Sequence, residues 1–147
     1  MADGDDLDYP VLYGAPNQED GVILYEWVLQ TPAWRSLDVY AWNIYCELSR
    51  RYNGRNNGGI AASVRELAKA INCSNRPVIR ALQELQDRGF IIAVQKGSFN
   101  WKTREDGNNN RASVWLLTEY PQDEPVRSPE ARKDFLKWIP TTGERNA

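Results

Sequence analysis

The stretch SVRELAKAINCSNRPVIRALQELQDR, residues 63–88, constrains the fold more than any other part of the chain. It opens with a capping box. Ser63 is placed to accept from the Glu66 backbone N–H, and the Glu66 side chain to return to the N–H of Ser63. Val64, Leu67, Ala68 and Ile71 follow as an apolar stripe at helical spacing. Asn72-Cys73-Ser74 makes a turn, and Ser74 suits the N-cap of a second helix. Pro77 falls in the first turn of that helix, where a missing N–H costs nothing. Val78, Ala81, Leu82 and Leu85 supply its buried face, and Gly89 the left-handed residue that ends it. The reading is a helix, a tight turn and a helix.

The 147 residues, 41% of them hydrophobic, suffice for one domain with a core and some tail. No apolar run is long enough for a membrane span. The acidic start MADGDDLDYP lacks the order of a secretory signal, so a cytoplasmic protein is expected. With no histidine and only Cys46 and Cys73 as thiols, no metal site or cofactor is expected. Catalysis finds no support either. The close carboxylate pairs Asp5-Asp6, Glu19-Asp20, Glu105-Asp106 and Asp123-Glu124 all fall in expected loops or tails.

The net charge of −2 conceals an uneven distribution. Residues 1–32 hold seven Asp/Glu and no Lys or Arg, whereas residues 33–118 hold 13 Lys/Arg against seven Asp/Glu. Residues 119–147 hold five against six. A basic middle between acidic flanks suits a polyanion-binding surface whose flanks temper non-specific attraction. A plainly solvated surface is the alternative.

Three segments are expected. Residues 1–20 read as an acidic arm, 21–120 as the main domain, and 121–147 as a tail with a short amphipathic helix. GVILYEWVLQ, 21–30, reads as a strand or a short turn of helix, packed on the domain or used in a dimer contact. Thr31-Pro32 signals a helix start, and Ser36 restarts the same logic. Leu37, Ala41, Ile44, Leu48 and Tyr52 then predict a support helix of about 16 residues, flanked by Tyr40 and Tyr45. The run NGRNNGG, 53–59, is a loop, and Ile60-Ala61-Ala62 a token strand. FIIAVQK and ASVWLLT, the latter at 112–118, are strands by composition, and the polar loop 97–111 between them forms a wing. In the tail, Ala131, Phe135, Trp138 and Ile139 are expected on one helical face, with Pro140 as the stop.

The text SVRELAKAINCSNRPVIRALQELQDRGFI resembles the winged helix-turn-helix superfamily of bacterial and phage DNA-binding proteins. The resemblance covers residues 36–118. TPAWRSLDVYAWNIYCELSRRYNG and FLKWIP are similar to segments of small single-domain winged-helix proteins of alphaproteobacteria, phages and plasmids. It implies an α+β fold, a winged helix-turn-helix with a three-helix core and a β-hairpin wing. One departure is Pro77, where the family usually has a threonine whose hydroxyl serves DNA phosphate.

On such a fold, the residues left over from the core of the second helix are Asn75, Arg76, Ile79, Arg80 and Gln83. Arginine donates twice to guanine, Asn and Gln pair with adenine, and an exposed isoleucine meets a thymine methyl. Ile79 equally reads as the edge of the core, and Arg76 and Arg80 as surface charge. Ser63, Arg65 and Ser74 lie at helix starts suited to phosphate. In the wing, Lys96, Lys102, Arg104 and Arg111 suit the backbone or the minor groove, and Phe99 and Trp101 read as cross-strand packing partners or as buttresses of the wing on sugar. Arg50, Arg51 and Arg55 read first as charges complementing the end of the support helix and second as DNA contacts. The expectation is a homodimeric, sequence-dependent binder of double-stranded DNA that regulates transcription. Two rivals stand beside it. One is an accessory or initiator factor for phage or plasmid replication or recombination. The other is a protein-interaction module of the anti-activator type, working through the N- or C-terminal aromatic segments, since six tryptophans and seven tyrosines favour interface hot spots.

Overall fold

The structure, a computed structural model, describes residues 21–95 and 112–140. Two single-turn helices, α1 (Glu26–Leu29) and α2 (Pro32–Arg35), precede the long helix α3 (Val39–Arg51). Strand β1 (Ile60–Ala62) leads into α4 (Val64–Ala70) and α5 (Asn75–Asp87). Strands β2 (Ile91–Gln95) and β3 (Ser113–Leu117) follow, and a 3-10 turn (Asp134–Lys137) closes the described chain. The acidic arm, residues 1–20, and the wing loop fall outside the described residues.

The α4–α5 unit forms as its local chemistry demands. Ser63 Oγ accepts from Glu66 N and Glu66 Oε1 accepts from Ser63 N, each at 3.0 Å. Both helices then end in the same way. Asn72 (φ 61°) follows α4, with Cys73 N donating to Ala68 O and Asn72 N to Lys69 O. Gly89 (φ 86°) follows α5, with Phe90 N donating to Leu85 O and Gly89 N to Gln86 O. Each is a Schellman closure around a left-handed residue. A Cβ at Gly89 would lie 2.8 Å from the backbone of Asp134 and Phe135, so a second demand for glycine comes from the returning tail.

Burial follows the apolar stripes. Val64, Leu67 and Ala68 of α4 and Val78, Ala81, Leu82 and Leu85 of α5 join Ala41, Ile44 and Leu48 of α3 in one core. Phe90 is central to its aromatic part. It meets Trp34 and Tyr45 edge-on and stacks on Phe135 at 4.7 Å between centroids. The sheet has the order β1-β3-β2, all antiparallel, pairing Ile60 with Trp115 and Ile91 with Leu117. A register shift between Ala93 and Gln95 bends β2 where it leaves the core. Helices and a three-stranded antiparallel sheet in this order make an α+β fold consistent with a winged helix.

Several boundaries differ from expectation. The support helix has 13 residues and starts after Asp38, whose side chain accepts from Ala41 N at 2.9 Å. Ser36 instead closes α2, its hydroxyl donating to Ala33 O at 2.7 Å. Leu37 is therefore buried outside the helix, and Tyr52, in extended conformation, stacks on Tyr120 at 4.7 Å. Tyr45 does not flank the stripe but is fully buried, its hydroxyl donating to Glu119 Oε1. The C-terminal helix is a single 3-10 turn, because Lys133 at its start adopts a left-handed φ of 50° that breaks any helix from Ser128. Phe135 is buried and Trp138 half-buried, but Ile139, on the same expected face, is 71% exposed.

Asn57, read only as a loop residue, is the joint between the 53–59 loop and the tail. It is wholly buried, and its side-chain N–H groups reach the carbonyls of Leu117, Tyr120 and Pro121 at 2.8–3.0 Å. Its Oδ1 accepts from Leu117 N at 2.7 Å. Asn57→Ala would orphan these groups together, and a loss of about 3 kcal/mol in chemical denaturation is expected.

Burial also raises the Glu119 carboxyl above its ordinary range, opposed by the hydroxyls of Tyr45 and Tyr120 and by the charge of Lys133. The folded state thus holds a proton to higher pH than the unfolded chain. The contribution of this group is most favourable below the usual carboxylate range and falls as pH rises through the raised value. Glu119→Gln keeps an acceptor for Tyr45 and removes the charge. The stability of the variant minus that of the parent should therefore increase with pH across this window, as measured by urea melts between pH 4 and about pH 7.

Candidate nucleic-acid interface

Helix α5 runs 13 residues, about 20 Å at 1.5 Å per residue. With Val78, Ala81, Leu82 and Leu85 turned inward, Asn75, Arg76, Ile79, Arg80 and Gln83 all stand in solvent. Arg76 and Arg80 are one turn apart, as are Asn75 and Ile79, so the five share the side of the helix away from the core. Ile79 is 41% exposed and interrupts a polar surface. Arg80 also lies near enough to Glu84 for its charge to oppose the rise that burial imposes on that carboxyl.

The two serines expected at helix starts behave differently. Ser63 spends its hydroxyl on the Glu66 N–H, three residues into the helix. Ser74 occupies the matching N-cap position of α5 with no side-chain cap bond. Pro77, three residues after Ser74, removes one of the two N–H groups from which a capping oxygen accepts and leaves only that of Arg76. The exposed Ser74 hydroxyl is left to partners outside the helix.

Arg65 is exposed on α4, and the structure adds Lys69, exposed one turn further along. Sequence reasoning missed Lys69, although its four-residue spacing from Arg65 was the available signal. Of the arginines assigned to the end of the support helix, Arg51 donates to Ala61 O at 3.4 Å and approaches Glu66 at 4.0 Å. Arg88, which had drawn no attention, is a structural clamp. It donates to Ser36 Oγ at 2.9 Å and lies over the Trp138 ring at 4.7 Å. The wing residues Lys96, Lys102, Arg104 and Arg111, with Phe99 and Trp101, lie outside the described residues.

A capped helix, a left-handed turn and a second helix with an exposed basic face define a helix-turn-helix. Comparison with known families agrees. Residues 37–91 match the family model described as a helix-turn-helix domain, which supports placing this segment in the helix-turn-helix superfamily. The match begins at Leu37, ahead of α3, and ends at Ile91, the first residue of β2. No match was found among the curated proteins or the solved structures. Among the described residues, no helix is long and apolar enough to cross a membrane.

The two caps give a paired test. Ser63→Ala should lower stability by about 1 kcal/mol through loss of its cap. Ser74→Ala, with no cap to lose, should leave the thermal midpoint nearly unchanged. Equal losses in the two variants would contradict the role assigned to Pro77.

Proposed function

We propose that the chain binds double-stranded DNA in a sequence-dependent way, with α5 in the major groove, and regulates transcription. The observation that carries this reading is the division of α5 into four buried apolar residues and a wholly exposed face of Asn75, Arg76, Ile79, Arg80 and Gln83. These side chains match the donor, acceptor and methyl pattern of base edges. Ser63, Arg65 and Ser74 supply phosphate contacts that set the register of the helix, and Lys69 adds a cation beside them. The wing residues Lys96, Lys102, Arg104 and Arg111 extend the grip along the backbone or into the minor groove. Two copies on half-sites about 34 Å apart would let two α5 helices enter successive turns of one groove face.

A second reading is kept because of one surface. Ile23, Leu24, Tyr25 and Trp27 are all more than a third exposed, and Trp27 stacks on Phe135 of the tail. Exposed aromatics of this kind favour a protein partner, whether the chain serves as a regulator, as a replication or recombination accessory factor, or as an interaction module.

The test is binding of selected duplexes by the parent and by Arg76→Ala/Arg80→Ala. The double variant should lose about tenfold or more in affinity for the best site and much of its preference over random sequence, with an unchanged thermal midpoint. Unchanged affinity would remove α5 from the DNA contact. No duplex binding by the parent at low salt would instead favour the interaction module.

A further inference from the structure

Four cations of the helix-turn-helix stand outside its salt bridges, unlike Arg88, which pairs with Glu84 and Asp87. Arg65, Lys69, Arg76 and Arg80 are all exposed, and among the described residues none of them takes part in a salt bridge. Glu66 on α4 is held by the Ser63 cap and by Arg51. The chain carries the complementary charge elsewhere. Residues 1–20 contain six carboxylates and no Lys or Arg, four of them at Asp3, Asp5, Asp6 and Asp8.

We propose that the acidic segment Asp3–Asp8 docks on the cationic face of α4 and α5, where it competes with duplex phosphate for Arg65, Lys69, Arg76 and Arg80. This rests on the DNA-binding reading of that face. Charge and reach both point to this occupant. Four carboxylates within six residues match in number the four exposed cations and are opposite to them in charge. The chain enters the described structure at Gly21, an exposed residue, 13 positions after Asp8. That length spans up to ~44 Å when extended. A domain of about 100 residues, with a radius of gyration near 13 Å, is only about 34 Å across. The path over the surface of such a sphere to its far side is about 53 Å, so the segment reaches most of the domain surface, short of the region opposite Gly21. Covalent attachment holds it at an effective concentration on the order of millimolar, enough for a weak ionic contact to be occupied at low salt. Sequence-specific DNA displaces it because base contacts add to phosphate contacts, whereas random DNA offers phosphate alone. The device raises selectivity by weakening the non-specific mode.

The experiment uses the otherwise unaltered chain with Asp3→Asn, Asp5→Asn, Asp6→Asn and Asp8→Asn together. Two readouts are taken: anisotropy of a labelled random-sequence duplex across a salt series, and backbone amide NMR signals without DNA. The quadruple variant should bind random duplex about tenfold tighter at low salt, with a steeper salt dependence, and converge with the parent at high salt. Without DNA, the amide signals around Arg65, Lys69, Arg76 and Arg80 should differ between the two proteins. Identical signals there would overturn the docking, even with a changed affinity, because a long-range field alters binding without contact. Differing signals with no duplex binding by either protein would support the docking and overturn the DNA reading instead.

Discussion

The structure turns on one backbone conformation, the left-handed residue Gly89 at the end of α5. It closes the helix, reverses the chain and drops Phe90 into the aromatic cluster of Trp34, Tyr45 and Phe135. Three consequences follow from this one turn. Strand β2 begins at Ile91 in register with Leu117, the tail packs its backbone against the open side of Gly89, and α5 is held by its C-terminal end. Thr118 reinforces the same point, its hydroxyl donating to Gly89 O. A side chain at this position would have to displace main chain rather than a flexible tip, so no small adjustment relieves it.

Held at that end by Phe90 and Arg88, α5 presents its opposite end to solvent. The polar contacts of Arg88 reach Ser36 in the connection before α3 and Trp138 in the tail, so two separated segments converge on the C-terminus of the helix. The N-terminal end is by contrast lightly tied. Ser74 caps by position only, and Pro77 supplies helical φ without an N–H. This asymmetry suits a recognition element, which needs a rigid base and free donors at the tip. Unlike the first helix of the motif, whose box is closed on itself through Ser63 and Glu66, the second keeps its terminal polar groups open.

The motif was legible in the residues because its determinants are local. A capping box, a left-handed turn residue and a stripe of three- and four-residue steps each act within one or two turns of chain, and all appear where expected. The exposed face of α5 was legible for the same reason, as the complement of its buried stripe. Reading failed where a residue's partner lies far away in sequence. Ser36 and Asp38 both carry a capping oxygen two residues apart, and only the packing of α2 decides that Asp38 starts the helix. Asn57 looked like a turn former among other asparagines. Its partners are some 60 residues distant, at Leu117, Tyr120 and Pro121. The tail was read as a helix from its apolar spacing, yet Lys133 donates its backbone N–H to Thr118 O at 2.7 Å and Phe135 is drawn into the core. Those contacts outweigh the weak preference of so short a segment for a helix.

By itself, then, the sequence determined the two helices of the motif, their caps and their division into buried and exposed faces, since hydrogen-bond closure and amphipathic spacing are properties of neighbours along the chain. Only the tertiary structure decided which tyrosine is buried against a carboxylate, which arginine is a clamp and which a free cation, and which asparagine joins loop to tail. Those roles depend on the dielectric and the partners that a side chain meets after packing, and neither is written in its immediate neighbours.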